Sequence, residues 1–108
     1  MRQVELSVYI NKHEGTGEYH LTAEEFRFGQ PTSLVHHATL PKEATQWDAH
    51  DAAIKIAEER ERLFRLPAYI LDRSHVPALR LSLAVFRKQT LAARAAWEKR
   101  AVEEGKKS

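Results

Sequence analysis

Histidines are the residues of this chain with the most scope for metal chemistry, and there are six of them. His36 and His37 are neighbours in a predicted strand, where adjacent side chains point to opposite faces and cannot hold one ion. The others fall in a predicted loop, strand, helix and linker, and no pair has the helical or short-loop spacing of zinc ligands. These are His13, His20, His50 and His75. We therefore predict no metal site and no cofactor.

Three residues in a predicted linker, Asp72, Ser74 and His75, have the residue types of a hydrolase triad. A triad needs convergent side chains beside an oxyanion hole, and residues one to three positions apart in a linker seldom have that geometry. Capping of a helix by Ser74 is the simpler interpretation. His50 with Asp48 and Asp51 is likewise explained by acidic residues at the positive end of a helix dipole. The chain has no cysteine, so thiolate catalysis is excluded, and we predict a protein without catalytic residues.

Basic residues are concentrated in the C-terminal half of the chain. Residues 1–46 carry a net charge of −2, whereas residues 62–100 carry nine basic and two acidic residues, a net charge of +7. A line of arginines seven positions apart on a helix can follow the phosphates of a nucleic acid. The alternative is a solvated helix face with basic residues near the negative end of the dipole. The candidate binding residues, for protein or nucleic acid, are Arg80, Arg87, Lys88, Arg94, Trp97, Lys99 and Arg100.

The elements that must position these residues begin with a predicted sheet in residues 1–41. From Val4 to Ile10 apolar and polar residues alternate, the pattern of a strand with one buried face. A loop with two glycines, residues 12–17, lets the chain reverse its direction. A third strand is predicted over residues 33–40, before a proline.

The return strand through residues 19–23 carries a break in its pattern. Its apolar positions change from odd to even numbers at Phe26. A β-bulge adds one residue and reverses which face the following side chains occupy. We therefore predict a bulge or a strand end near Glu24.

A first helix is predicted over residues 45–66. Thr45 stands three positions before Asp48, so the two can form a capping box at the start of the helix. Pro67 follows the last turn, where a proline ends a helix.

A second helix is predicted over residues 75–104, capped by Ser74 and followed by a frayed tail at residues 105–108. The preceding linker, residues 67–74, contains an apolar stretch, Ala68 to Leu71, which predicts either a short edge strand or a buried turn. Apolar residues in the second helix recur every three or four positions, as in a helix-packing seam. The members of this seam are Val76, Leu79, Leu83, Phe86, Thr90, Ala93 and Trp97.

The fold class predicted from these elements is α+β, with a three-stranded antiparallel sheet packed against two C-terminal helices. Residues 1–104 form a single domain, since no second set of elements follows. No run approaches the roughly 18 apolar residues of a membrane span. The first ten residues alternate instead of forming a secretory leader, so we expect a cytoplasmic protein that does not contact a membrane.

The seam of the second helix predicts an interface as well as a core. It spans about 32 Å at 1.5 Å per residue, longer than the first helix. Trp97 has the large, amphipathic side chain that dominates protein interfaces. If a twofold mate covers the excess seam, the protein is a homodimer; if another protein covers it, recognition is heterotypic; otherwise the sheet covers it.

Three runs of sequence resemble small accessory proteins encoded by phages and mobile elements, including anti-CRISPR proteins. The runs are Val4-Glu-Leu-Ser-Val-Tyr-Ile-Asn, Gly17-Glu-Tyr-His-Leu-Thr and Leu34-Val-His-His-Ala-Thr-Leu-Pro41. The resemblance covers roughly the first 65 residues as a pattern of strands leading into a helix. It implies an inhibitor that binds a host nucleic-acid-handling defence complex.

Together these features predict a non-catalytic binding protein that engages a macromolecular partner, either a protein or a ribonucleoprotein complex. The cationic second helix and Trp97 are the features that favour this prediction. The alternative prediction is a nucleic-acid-binding protein that uses the same basic helix.

Overall fold

The structure is a computed structural model that describes residues 4–27, 33–74 and 78–106. Its α+β class confirms the prediction, although the sheet has five strands. In chain order the elements are β1 (Val4–Lys12), β2 (Tyr19–Arg27), β3 (Ser33–Thr39), α1 (Gln46–Phe64), β4 (Ala68–Asp72), β5 (Arg80–Ser82) and α2 (Leu83–Lys106).

The sheet is mixed, with the strand order β3-β2-β1-β4-β5. Strands β1, β2 and β3 form the predicted antiparallel meander. Strand β4 pairs in parallel with β1, and β5 pairs antiparallel with β4. The prediction of three strands was therefore an undercount. Parallel pairing joins strands that are far apart in sequence and requires a long crossover, here through α1.

The stretch Ala68 to Leu71 belongs to β4, so it is neither an edge strand nor a buried turn. β4 lies between β1 and β5, and its side chains alternate between buried and half-buried. Five residues are too few for a period-2 pattern to stand out in the sequence. The pairing with β1 decides the conformation of this segment.

The predicted irregularity near Glu24 exists, but the extra residue is on β3. Ala23 pairs with His36 and Glu24 with Leu34, so Val35 is the residue passed over. The pairing of β2 with β1 is continuous. The predicted change of face at residue 26 was therefore wrong. Glu25 is on the buried face, with 9% exposure, and Phe26 is on the exposed face, with 43% exposure, so the alternation along β2 is not interrupted.

The hairpin loop and the start of α1 form as predicted. Gly17 has a positive φ of 74°, and its N–H donates to the carbonyl of His13 at 2.7 Å. The Thr45 hydroxyl accepts from the Asp48 N–H while the Asp48 carboxylate accepts from the Thr45 N–H, a complete capping box. Arg65 ends α1 in a left-handed conformation before the proline.

The second helix begins eight residues later than predicted, at Leu83 instead of residue 75. Ser74 caps no helix, because its N–H and hydroxyl both donate to the Asp72 carboxylate. Residues 80–82 pair with β4, and Leu79 is 61% exposed outside the helix. Val76 and His75 lie outside the described residues. At the other end α2 continues to Lys106, into the predicted frayed tail.

The core lies between one face of the sheet and the two helices. Its largest fully buried side chains come from the sheet, and α1 contributes Ala49, Ala53 and Ala57. Small side chains let the helix axis approach the sheet closely. Leu83 and Phe86 bring the first turns of α2 into the same cluster. Within the described residues, the opposite face of the sheet is covered by neither helix.

A search of the described residues for a membrane-spanning helix finds none of sufficient length and apolar character.

Candidate functional site

The last part of α2 extends past the rest of the fold. The two helices run antiparallel, since Arg87 contacts Glu58 while Trp97 contacts Trp47 near the start of α1. Beyond Trp97 there is no further turn of α1 beside α2. Residues 95–105 are all exposed, and the molecule measures 60 × 30 × 24 Å. We call residues 95–105 the projecting segment.

Trp97 lies at the base of the projecting segment on the side that continues the core face of α2. Its ring centroid is 6.2 Å from that of Trp47, which is 8% exposed, whereas Trp97 itself is 53% exposed. Ala101 lies one turn further along the same side, and Val102 beside it is 58% exposed. The apolar side of α2 therefore continues beyond the core that covers its first turns.

The predicted line of three arginines does not lie along one helix, because Arg80 belongs to β5. Each arginine is also paired with an acidic residue of the same molecule. Arg80 contacts Glu5 at 3.2 Å, Arg87 contacts Glu58, and Arg94 contacts Asp51 at 3.1 Å and Glu98 at 3.6 Å. These side chains are 41 to 61% exposed, so each pair is worth at most about 1 kcal/mol. Their charges are nonetheless largely compensated within the molecule.

The other predicted cations have no such compensation. Lys88, Lys99 and Arg100 are exposed on α2, and no ion pair joins them to another residue in the described ranges. Lys99 and Arg100 lie on the projecting segment. Arg100, three positions after Trp97, is its neighbour on the helix surface, whereas Lys99 faces the other side. Of the seven predicted binding residues, the structure thus leaves these three and Trp97 accessible to a partner.

A buried polar cluster that the sequence did not reveal joins β4, α1 and α2. His50 Nε2 lies 2.8 Å from Asp72 Oδ2, and His50 Nδ1 lies 3.1 Å from Thr90 Oγ1. All three residues are at most 8% exposed. A neutral imidazole that donates from Nε2 to the carboxylate accepts the Thr90 hydroxyl proton at Nδ1. The cluster therefore satisfies the hydrogen bonding of its buried groups.

Asp72 is the residue of this cluster with a perturbed acidity. Burial acts to raise the pKa of Asp72, but hydrogen bonds from His50 and Ser74 outweigh it and hold the pKa below its usual value. The carboxylate is therefore stabilised in its ionised form. The sequence hides this arrangement because Asp72 and His50 are 22 positions apart. The position of Asp72 on the buried face of β4 was the available signal.

The cluster resembles the residue set of a hydrolase but lacks part of its geometry. Thr90 lies within α2, where the neighbouring backbone N–H groups are used by the helix and cannot form an oxyanion hole. The previously considered pair Asp72 and Ser74 is a local turn contact. Among the described residues there is also no group of three or more His, Asp or Glu side chains placed to bind a metal ion.

Comparison with protein families, with curated proteins and with solved structures finds no match to this chain.

Proposed function

We propose that this chain is a non-catalytic binding protein that docks onto a partner protein through the projecting segment of α2. The observation that carries the proposal is the exposure of all of residues 95–105, with Trp97 half-exposed at their base. These exposed residues continue a helix that is anchored in the core at its other end. A partner that packs against them would supply the tertiary contacts that stabilise most helices in proteins.

The chemistry of the projecting segment defines the partner surface. Trp97, Ala101 and Val102 require an apolar groove, and buried tryptophans are frequent anchors of protein interfaces. Arg100 and Glu104 lie on the same side of the helix as Trp97, so the rim of that groove requires groups of both charges, since opposite charges around an interface steer association. We therefore expect the partner to present an apolar groove with a rim of mixed charge. The resemblance to phage accessory proteins suggests a host protein or ribonucleoprotein complex as the partner.

The test uses a protein that co-purifies with the tagged chain and is then produced separately. Calorimetric titration of the purified pair measures the dissociation constant for the wild type and for W97A/V102A. We expect at least about a tenfold weaker interaction for the variant. The matched control is V85A, which removes an exposed valine (44%) from the buried end of α2 and should leave the affinity unchanged.

Two results would contradict this proposal. One is equal affinity of the partner for wild type and for a folded W97A/V102A variant. The other is sedimentation of the purified chain as a homodimer in which residues 95–105 are protected from hydrogen exchange, because a second copy would then occupy the surface.

A second candidate function is nucleic-acid binding, which the open face of the sheet supports better than α2 does. Tyr9 and Tyr69 lie on the adjacent strands β1 and β4, on the side away from the helices. The guanidinium of Arg73 lies 4.2 Å from the Tyr9 ring centroid, and that of Arg80 lies 4.0 Å from that of Tyr69. Bases of single-stranded RNA stack on tyrosine rings and on guanidinium planes. Ion pairs compensate Arg87 and Arg94 on α2 and also Arg80, so the open face is favoured by its tyrosine rings and not by its charge.

Retention of labelled single-stranded RNA and DNA at about 50 and about 200 mM salt tests this second candidate. Binding that falls steeply with salt and is lost in Y9A/Y69A would support the open face. Loss in K99A/R100A instead would assign the contact to α2. Absence of binding at the lower salt concentration would remove nucleic acid from consideration.

A further inference from the structure

A pocket lies where β4, β5, α1 and α2 meet. Its volume is about 240 Å³, and its lining includes His50, Asp72, Thr90, Leu81, Phe86 and Ala93. Asp72 pairs with Ile10 at the carboxyl ends of the parallel strands β4 and β1. Ligand sites of sheets with helical crossovers concentrate at such strand ends. The pocket therefore lies where ligands of such sheets usually bind, and it is lined by residues of four elements.

The pocket has a polar floor and mostly apolar walls, to which Gln89 adds one polar side chain. His50, Asp72 and Thr90 form the hydrogen-bonded floor, whereas Leu81 and Phe86 belong to the walls. Pockets with mostly apolar walls and a few convergent polar groups are typical binding sites for small molecules. The polar floor is rigid, because three different elements of the fold hold its side chains.

The size of the pocket limits the ligand. An engineered cavity of about 150 Å³ in another protein holds benzene. A pocket of about 240 Å³ can therefore hold one six-membered ring with a small substituent.

The charges and hydrogen bonds of the floor limit the ligand further. The ionised Asp72 carboxylate disfavours an anion, and the apolar walls disfavour a ligand with an unpaired charge. When Thr90 donates its proton to His50 Nδ1, its Oγ can still accept a hydrogen bond. A ligand hydroxyl can donate to it without bringing a charge into the pocket.

We propose that this pocket binds a small uncharged ring compound that carries a hydroxyl group. The site is separate from the projecting segment, so it adds a ligand to the proposed protein partner. Binding would connect β5 to α2, since Leu81 of β5 and Phe86 of α2 both line the pocket.

The test is a titration followed by two-dimensional ¹H–¹⁵N NMR of the full chain with phenol and with toluene as probes. The two compounds have nearly the same shape, but toluene has no hydroxyl group. We expect both to shift the amide signals around Leu81 and Phe86. Phenol should bind more tightly, by roughly 2- to 10-fold, which is the usual effect of one hydrogen bond.

Three variants separate the pocket from nonspecific binding. T90V removes the hydroxyl while nearly preserving the shape, so phenol should lose its advantage over toluene. A93F places a ring in the mouth of the pocket and should abolish binding of both probes. A92F is the matched control, because Ala92 is exposed on α2 but does not line the pocket.

Because T90V leaves His50 Nδ1 without a hydroxyl and can lower stability, A93F provides the independent readout at an exposed position. The proposal is overturned if neither probe shifts these signals at millimolar concentration. It is equally overturned if A93F and A92F bind phenol as the wild type does, or if toluene binds as tightly as phenol to the wild type.

Discussion

At the scale of single residues, Asp72 connects the stability of the fold to pH. Its carboxylate receives hydrogen bonds from His50 and from Ser74, and these bonds hold its pKa below the usual value. The same residue contributes to the floor of the pocket. The buried carboxylate thus joins β4 to α1, and His50 extends the link to Thr90 of α2.

We expect D72N to lower the free energy of unfolding at pH 7 by about 2 kcal/mol, because it removes charge-assisted hydrogen bonds. The folded-state pKa of Asp72 lies below its unfolded-state value of about 3.9. The stabilisation is therefore complete above that value and is lost as the pH falls through the folded-state pKa. Urea denaturation of both proteins between pH 5 and the acid limit of folding measures the difference. A difference that stayed constant over this range would contradict the assignment.

At the scale of elements, α2 is anchored by its first two turns. Leu83, Phe86 and Thr90 are buried, whereas Leu91 in the next turn is 65% exposed. Burial of apolar side chains determines where a helix is held, since helix propensity alone is too weak. The first two turns of α2 therefore anchor the helix, and its later turns remain available to a partner.

Two substitutions on α2 test this division. F86A should lower the free energy of unfolding by about 3 to 5 kcal/mol, because it removes a ring that is 4% exposed from the core. L91A, at a position that is 65% exposed, should change it by no more than about 0.5 kcal/mol. Chemical denaturation gives both values. Equal effects would mean that Leu91 is covered in solution, as in a dimer.

Elements determined by local chemistry could be predicted from the sequence. The Thr45 and Asp48 capping box marks the start of α1, and alternation from Val4 to Ile10 marks β1. β5 escaped prediction, and β4 was left open between an edge strand and a turn, because their conformation depends on pairing with distant partners. The start of α2 was placed too early for the same reason. The spacing of apolar residues by three and four positions also occurs before the helix, in a segment that instead pairs as a strand.

The same difference between local and long-range contacts applies to the candidate site. The accessibility of Trp97 could be suspected from the length of the seam, because this is a property of one helix. The His50, Asp72 and Thr90 cluster could not be predicted, because three elements bring its members together. Ion pairing of Arg80 with Glu5 likewise joins residues 75 positions apart.

At the scale of the whole molecule, the uneven charge of the chain is balanced by the fold. Residues 1–46 are net −2 and residues 62–100 are net +7. Acidic residues from β1 and α1 meet the arginines of β5 and α2, through the pairs Glu5 with Arg80, Glu58 with Arg87 and Asp51 with Arg94. Charges that are separated along the sequence are adjacent in space, so the cationic half of the sequence is not a cationic half of the molecule.

The shape of the molecule provides the last prediction. The Cα radius of gyration is 15.7 Å, larger than the roughly 13 Å typical of a compact domain of this length. The projecting segment accounts for this difference if it stays extended in solution. We expect removal of residues 98–108 to lower the radius of gyration measured by small-angle X-ray scattering towards the compact value. The midpoint of thermal unfolding should change little, because residues 98–105 are exposed.

The control for this truncation is the full-length F86A variant, in which the core contact of α2 is weakened but the segment remains. Its thermal midpoint should fall while the folded protein keeps the larger radius. An unchanged radius after truncation would show that residues 98–108 fold back onto the body in solution. A large loss of thermal stability would show that they pack against it, and either result would leave Trp97 and Val102 without the free surface on which partner docking depends.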